Sequence, residues 1–181
     1  RMFELFIPGA EWWDERREMF FYTKDQTLRL EHSLVSVSKW ESKWEKPFLE
    51  EMVHSREESI DYVRCMCLTQ NVDPLVFKGL TDDHLRAVDH YVNARMSATT
   101  FASTPSVKAS AQKITSELIY YWMILYQVPM EAQKWHLNRL LNLIRICEIK
   151  SEKPKKMSPK EIRERNERLN EERKKKWKTK G

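Results

Sequence analysis

Glycine is scarce in this 181-residue chain, which holds three in all. Three glycines cannot build a Gly-rich phosphate loop, and no Gly-x-Ser-x-Gly elbow occurs, so neither signature of nucleotide or acyl-transfer chemistry is available. So little glycine also argues for helices over turn-rich β structure. Cysteine is equally sparse. Cys65, Cys67 and Cys147 make an odd count, against a disulfide framework and in favour of a reducing compartment. On a helix, Cys65 and Cys67 project roughly 200° apart, and no second ligand pair lies near them in sequence. They read as buried thiols rather than zinc ligands. No apolar run approaches about 18 residues, the stretch around Leu118–Leu125 being the longest, so no membrane span is expected. The N-terminus lacks a basic region followed by an apolar stretch and a small-residue cleavage site, so no secretion signal is expected.

The remaining chemistry-bearing residues are scattered. His84 and His90 share no ligand spacing, and His136 sits among residues that read as core. Asp82 and Asp83 stand where the first turn of a helix favours acids. No catalytic, cofactor-binding or metal-binding residue is assigned, and the chain reads as no enzyme.

What is present is hydrophobic and aromatic: 41% apolar residues and seven Trp, enough for a real core. The net charge of +5 hides an asymmetry. Residues 151–181 carry 13 Lys/Arg against 6 Asp/Glu, while the other 150 carry 19 against 21. A near-neutral globular domain over 1–150 is therefore expected, followed by a basic helical tail over 151–181.

Within the domain, Met2–Ile7 reads as a strand ended by Pro8-Gly9, and Met19–Tyr22 and Thr27–His32 also read as extended. A small antiparallel hairpin or sheet over about 1–32 follows, with Trp12 and Trp13 in the connection. Next comes a tandem repeat, Ser38-Lys39-Trp40-Glu41 then Ser42-Lys43-Trp44-Glu45. A four-residue period returns side chains to one helical face, so Trp40 and Trp44 share a stripe with Val37. Pro47 should stop this helix. The stripe faces either the core, the ordinary outcome, or a partner.

Ser55-Arg56-Glu57-Glu58 is a capping box opening a helix that carries Ile60, Val63 and Cys67 on one face. Asp73-Pro74 starts a short helix closed by Gly79, and Thr81 caps another carrying Leu85, Val88 and Val92. Met96–Ala109 reads as a loop. Ile114, Leu118, Trp122 and Leu125 suggest the buried stripe of a central helix, and Pro129 starts a helix carrying Trp135, Leu137, Leu140, Leu141, Ile144 and Cys147. These two should pack as an antiparallel helical hairpin and, with the Trp helix, form the core. The fold class is thus mainly α: a compact helical bundle with a small N-terminal antiparallel β element and a basic C-terminal helix.

The tail helix opens on a second capping box, Ser158-Pro159-Lys160-Glu161, and has a thin apolar seam of Ile162 and Leu169. Glu161–Arg165 and Glu164–Arg168 pair along it as in a solvated helix. Only its end, with Arg173, Lys174, Lys175, Lys176, Trp177 and Lys178, combines uninterrupted positive charge with an aromatic, as a nucleic-acid contact would require.

Several longer phrases carry a resemblance. QTLRLEHSLVSVSKWESKWEKPFL (Gln26–Leu49), DYVRCMCLTQNVDP (Asp61–Pro74), MSATTF (Met96–Phe101), SELIYYWM (Ser116–Met123), KWHLNRLLNLIRICEIK (Lys134–Lys150) and PKKMSPKEI (Pro154–Ile162) together resemble a family of small tailed-bacteriophage proteins of the tail-gene region, tail assembly chaperone-like. The resemblance runs from Gln26 to Ile162. The start at Arg1 rather than methionine departs from the family's pattern and fits a fragment or a processed chain.

The resemblance implies a non-enzymatic tail assembly protein that binds the tape-measure protein, and by extension tail-tube subunits, in the bacterial host cytoplasm. Trp40, Trp44, Ile162 and Leu169 are the candidate partner-binding residues. Two other readings stay open. One is a structural tail or connector component of the virion. The other is a nucleic-acid-binding accessory protein acting through the basic end. Homo-oligomerisation is open too, though no heptad run supports a coiled coil.

Overall fold

The computed structural model describes residues 2–50, 54–101, 113–151 and 159–177, with 159–162 and 177 described by backbone alone. The chain divides into two units, 1–148 and 149–181. The first is mainly helical behind a short antiparallel β element.

That β element is one long hairpin with a kink. Strands β1 (Phe3–Ile7) and β4 (Gln26–Leu30) pair from Phe3↔Leu30 to Ile7↔Gln26, and β2 (Glu11–Asp14) and β3 (Met19–Tyr22) continue in the same register from Glu11↔Tyr22 to Asp14↔Met19. The kink falls at Pro8–Ala10 opposite Thr23–Asp25, where the Asp25 carboxylate accepts from Gly9 N–H (2.7 Å) and Thr23 N–H donates to the Ala10 carbonyl (2.9 Å). A side chain on Gly9 would strike the Thr23 carbonyl at 2.5 Å, so the kink needs a glycine. Trp12 and Trp13 are thus strand residues, not part of the connection. The true turn is Glu15–Glu18, held by Asp14 Oδ1 accepting from the Arg16 and Arg17 amides.

Alternation along β1 and β4 buries Leu5, Ile7, Leu28 and Leu30. The outer edge of β4 is covered as well. Glu31 N–H donates to the Met66 carbonyl and Leu68 N–H to the Arg29 carbonyl (2.9 and 2.8 Å).

Helix α1 (Leu34–Trp44) begins at Ser33, whose hydroxyl caps the Ser36 amide while Ser36 returns a bond to Ser33. It ends earlier than Pro47 alone would require. Glu45 takes the left-handed conformation (φ 54°) and closes the helix by donating its amide to the Glu41 carbonyl. Helix α2 (Arg56–Met66) opens on the Ser55/Glu58 capping box, the 3-10 helix Pro74–Gly79 on Asp73, and α3 (Asp82–Val92) on Thr81. These three starts match their sequence signals. Of the Met96–Ala109 loop, residues 102–109 lie outside the described residues.

Helix α4 (Ser116–Leu125) differs from expectation. Its buried stripe is Ser116, Ile119 and Met123, one residue out of phase with the Ile114, Leu118, Trp122, Leu125 stripe, and Leu125 is exposed. Nor does it pair with a single long helix after Pro129. A 3-10 helix (Met130–Lys134) and extended Trp135–His136 intervene before α5 (Leu137–Ser151). His136 there bridges back to Ser33, and Leu137 N–H donates to the His32 carbonyl (3.0 Å). Helix α1, rather than an α4–α5 hairpin, organises the core by packing on α2, α4 and the second 3-10 helix.

In the second unit, α6 (Pro159–Trp177) is a single helix whose described side chains, from Arg163 to Lys176, are exposed. Its expected cap Ser158 lies outside the described residues. Among the described residues no helix is long and apolar enough to cross a membrane.

Candidate functional site

The tandem Trp repeat places its two indoles in different environments. The rings stack with centroids 5.9 Å apart, yet only Trp44 is reachable from outside. Trp40 is 0% exposed, packs edge-on against Phe48 and His54, and donates its Nε1–H to the Glu58 carbonyl (3.1 Å). Trp40 is therefore a core residue, and its place as a partner contact is corrected: a residue one turn before the helix end still faces the middle of the domain. Trp44, at that end, lines a groove of about 430 Å³ between α1, α2 and the 3-10 helix Pro74–Gly79.

The groove is built in layers. Its floor is the Trp44 indole, Ile60 and Phe77. Asp61 is buried beside them, accepting from Lys43 Nζ (2.5 Å) and Trp44 Nε1 (2.9 Å), so its charge is spent and the indole is fixed in orientation. On the rim, the Arg64 guanidinium lies 5.1 Å from the Phe77 ring centroid and Lys43 Nζ 5.7 Å from that of Trp44. Arg56 pairs with Asp82 and donates to the Leu80 carbonyl.

A second polar cluster lies deep in the core. Tyr62 Oη stands 2.5 Å from His32 Nδ1 and 3.1 Å from Ser36 Oγ. The Ser36 hydroxyl donates to the Ser33 carbonyl (2.8 Å), so Tyr62 must donate to Ser36, and His32 donates its Nδ1–H to Tyr62. Burial, then the neighbouring His136, lowers the His32 pKa to about 3, and the ring is neutral. His136 is also lowered, chiefly by burial. Its Nε2 bonds the Tyr91 carbonyl (3.0 Å), and its Nδ1 accepts from the Asn138 amide (3.3 Å). Burial raises the Tyr62 pKa. The cluster's bonds join α1, α2, α3 and the start of α5, with a cavity of about 280 Å³ beside His32, Phe48 and Tyr62. Cys65 is half-buried, its pKa pushed up to about 11 by burial and then by Asp61. Among the described residues no group of His, Cys, Asp or Glu could hold a metal ion.

The other sequence candidates lie apart from this groove in sequence. Leu169 is 38% exposed, and the Ile162 side chain lies outside the described residues. Arg173, Lys174, Lys175 and Lys176 are exposed on the last turns of α6. Trp177 is described by its backbone only, and Lys178 falls outside the described residues.

Two apolar surfaces escaped the sequence reading. On α4, Tyr121, Ile124 and Leu125 are exposed by 56%, 68% and 54% and fall at i, i+3, i+4 on one face. On the distal half of the hairpin, Trp13 and Phe20 form an exposed cross-strand pair (centroids 4.8 Å), with Tyr22 also exposed. Trp12, the next residue along, is half-buried and lies against Gly79, where an added side chain would meet its ring at 3.3 Å. The available signal was weak: uninterrupted apolar runs such as Ile119–Leu125 and Met19–Tyr22 hold more large side chains than one face can bury.

Compared with protein-family models, with curated proteins and with solved structures, the chain finds no match in any of the three.

Proposed function

We propose that this chain is a non-enzymatic binding protein of bacteriophage tail assembly, a chaperone that holds the tape-measure protein in the host cytoplasm until tail-tube subunits assemble around it. The family reading rests on the phrases from Gln26 to Ile162. The observation that carries the binding role is the uncovered face of α4. Tyr121, Ile124 and Leu125 together offer roughly 200–300 Å² of apolar surface, approaching the largest patch a typical monomer exposes. An elongated helical client presents apolar side chains at the same i, i+3, i+4 spacing, so the two faces are geometrically suited.

The test is co-expression with the phage tape-measure protein followed by affinity purification of either one. The expected result is a soluble complex, lost on Ile124→Glu with the melting temperature unchanged, and absence of the protein from finished particles. No complex, together with stoichiometric presence in purified virions, would replace this reading with that of a structural tail component.

A further inference from the structure

The Trp44 groove carries its own chemical signature, separate from the α4 face. Its cations outnumber its acids, although the surrounding body of the chain is slightly acidic. Lys43 is matched by Asp61 and Arg56 by Asp82, which leaves Arg64 and Lys78 exposed with no carboxylate in ion-pair reach among the described residues. Arg64 is stacked on Phe77. A guanidinium held over a ring is oriented by it and keeps N–H groups for a planar carboxylate. The same groove, about 430 Å³ in volume, has an apolar floor of Trp44, Ile60 and Phe77 beside these two cations.

We propose that this groove binds an acidic segment of a partner protein, which seats an apolar side chain on the Trp44–Phe77 floor and places carboxylates on Arg64 and Lys78. Charge complementarity selects the occupant. A single-stranded nucleic acid would also use an aromatic floor and a basic rim. Its unbroken phosphate charge would have to pass Glu57, exposed on the same wall, and the neutralised Lys43–Asp61 pair. A peptide can space its carboxylates to meet Arg64 and Lys78 and leave Glu57 alone. Binding at this groove is tested without any tail protein, so its outcome is independent of a role in tail assembly.

The experiment titrates the full chain with a labelled oligothymidylate and with three labelled synthetic peptides. One has a Leu-Leu-Phe anchor flanked by Glu, the second has the same anchor flanked by Lys, and the third keeps the Glu flanks with Ser in place of the anchor. Binding is read by fluorescence anisotropy and by the Trp44 indole N–H resonance, assigned with Trp44→Phe. The Glu-flanked anchored peptide is expected to shift that resonance and to bind at least about tenfold tighter than either other peptide. The double variant Arg64→Glu/Lys78→Glu changes two exposed side chains and should stay folded, with a melting temperature lowered only modestly by loss of the Arg64–Phe77 contact and of two cations at helix ends. It is expected to reverse the preference toward the Lys-flanked peptide. Equal binding of the two charged peptides, an unmoved Trp44 resonance, no binding by any peptide, or tighter binding of an oligothymidylate than of the Glu peptide would each overturn the proposal.

Discussion

Glu41 ties together three elements that sequence distance keeps apart, and removing its carboxylate tests that role directly. Oε1 accepts from the Phe48 amide (3.0 Å), and Oε2 accepts from both the Ser116 amide (2.8 Å) and the Ser116 hydroxyl (2.5 Å). The Ser116 amide belongs to the first turn of α4, which has no intrahelical acceptor, and the carboxylate also meets the positive end of that helix. Hydrogen bonds to a charged acceptor are worth about 1.5–3 kcal/mol each when shielded. Glu41 is only half-buried, and freed donors recover part of this from water, so Glu41→Ala should cost about 2–4 kcal/mol in all. That is a large share of the stability of a domain this size. Glu41→Gln should fall between, because an amide has one carbonyl oxygen and turns an N–H₂ group toward donors. Urea unfolding followed by circular dichroism gives the numbers, and a cycle with Ser116→Ala isolates the link to α4. A loss under about 1 kcal/mol for Glu41→Ala, or additive effects in the cycle, would refute the argument.

Three further outcomes are expected. Trp40→Ala should destabilise by about 3–5 kcal/mol, while Trp44→Ala, which leaves the Lys43–Asp61 pair in place, should cost about 1–2; equal losses in thermal melts would contradict the division between core and groove. His32 is held neutral in the fold and the His136 pKa is lowered by burial, so the unfolded chain binds more protons below its histidine pKa of about 6.5. Stability should fall with acidification, by up to about 1.4 kcal/mol per pH unit from His32 down to about pH 3, with His136 contributing in the same direction. The window between pH 6.5 and 5 lies above the Glu58 titration, itself moved down by its bonds to Lys46 and the Ser55 amide, so urea midpoints there report the histidines, and His32→Asn should flatten the slope. Glu45→Gly, at the left-handed cap of α1, should stabilise by about 0.5–1 kcal/mol, seen as a raised urea midpoint with an unchanged slope; a lowered midpoint would mean that the Glu45 side chain makes a compensating contact.

Features fixed by neighbours in sequence were legible in it. The Ser55/Glu58 box, Asp73-Pro74 and Thr81 start helices where they stand, because capping satisfies amides two or three residues away. Alternation found β1 and β4 for the same reason. The phase of α4 was not legible. SELIYYWMIL is apolar on nearly every side, so periodicity cannot say which face turns inward. The inward face is Ser116, Ile119 and Met123, and Glu41, 75 residues away in sequence, holds Ser116 on that face.

The same reasoning separates the two tryptophans. A four-residue repeat says that Trp40 and Trp44 share a stripe, but not how far along it the domain extends. That limit is set by Glu45, which closes α1 immediately after Trp44, and by Phe48 and His54, which fold back over Trp40. One turn of helix converts an identical residue in an identical tetrapeptide from buried wall to groove floor. A sequence repeat therefore does not make a functional repeat. Asp61 holds the Trp44 indole edge while Arg64 and Lys78 beside it have no carboxylate in ion-pair reach among the described residues, and those three come from α2 and the following 3-10 helix. A helix end, a spent carboxylate and two unmatched cations define the groove jointly, and none of them is a property of the repeat.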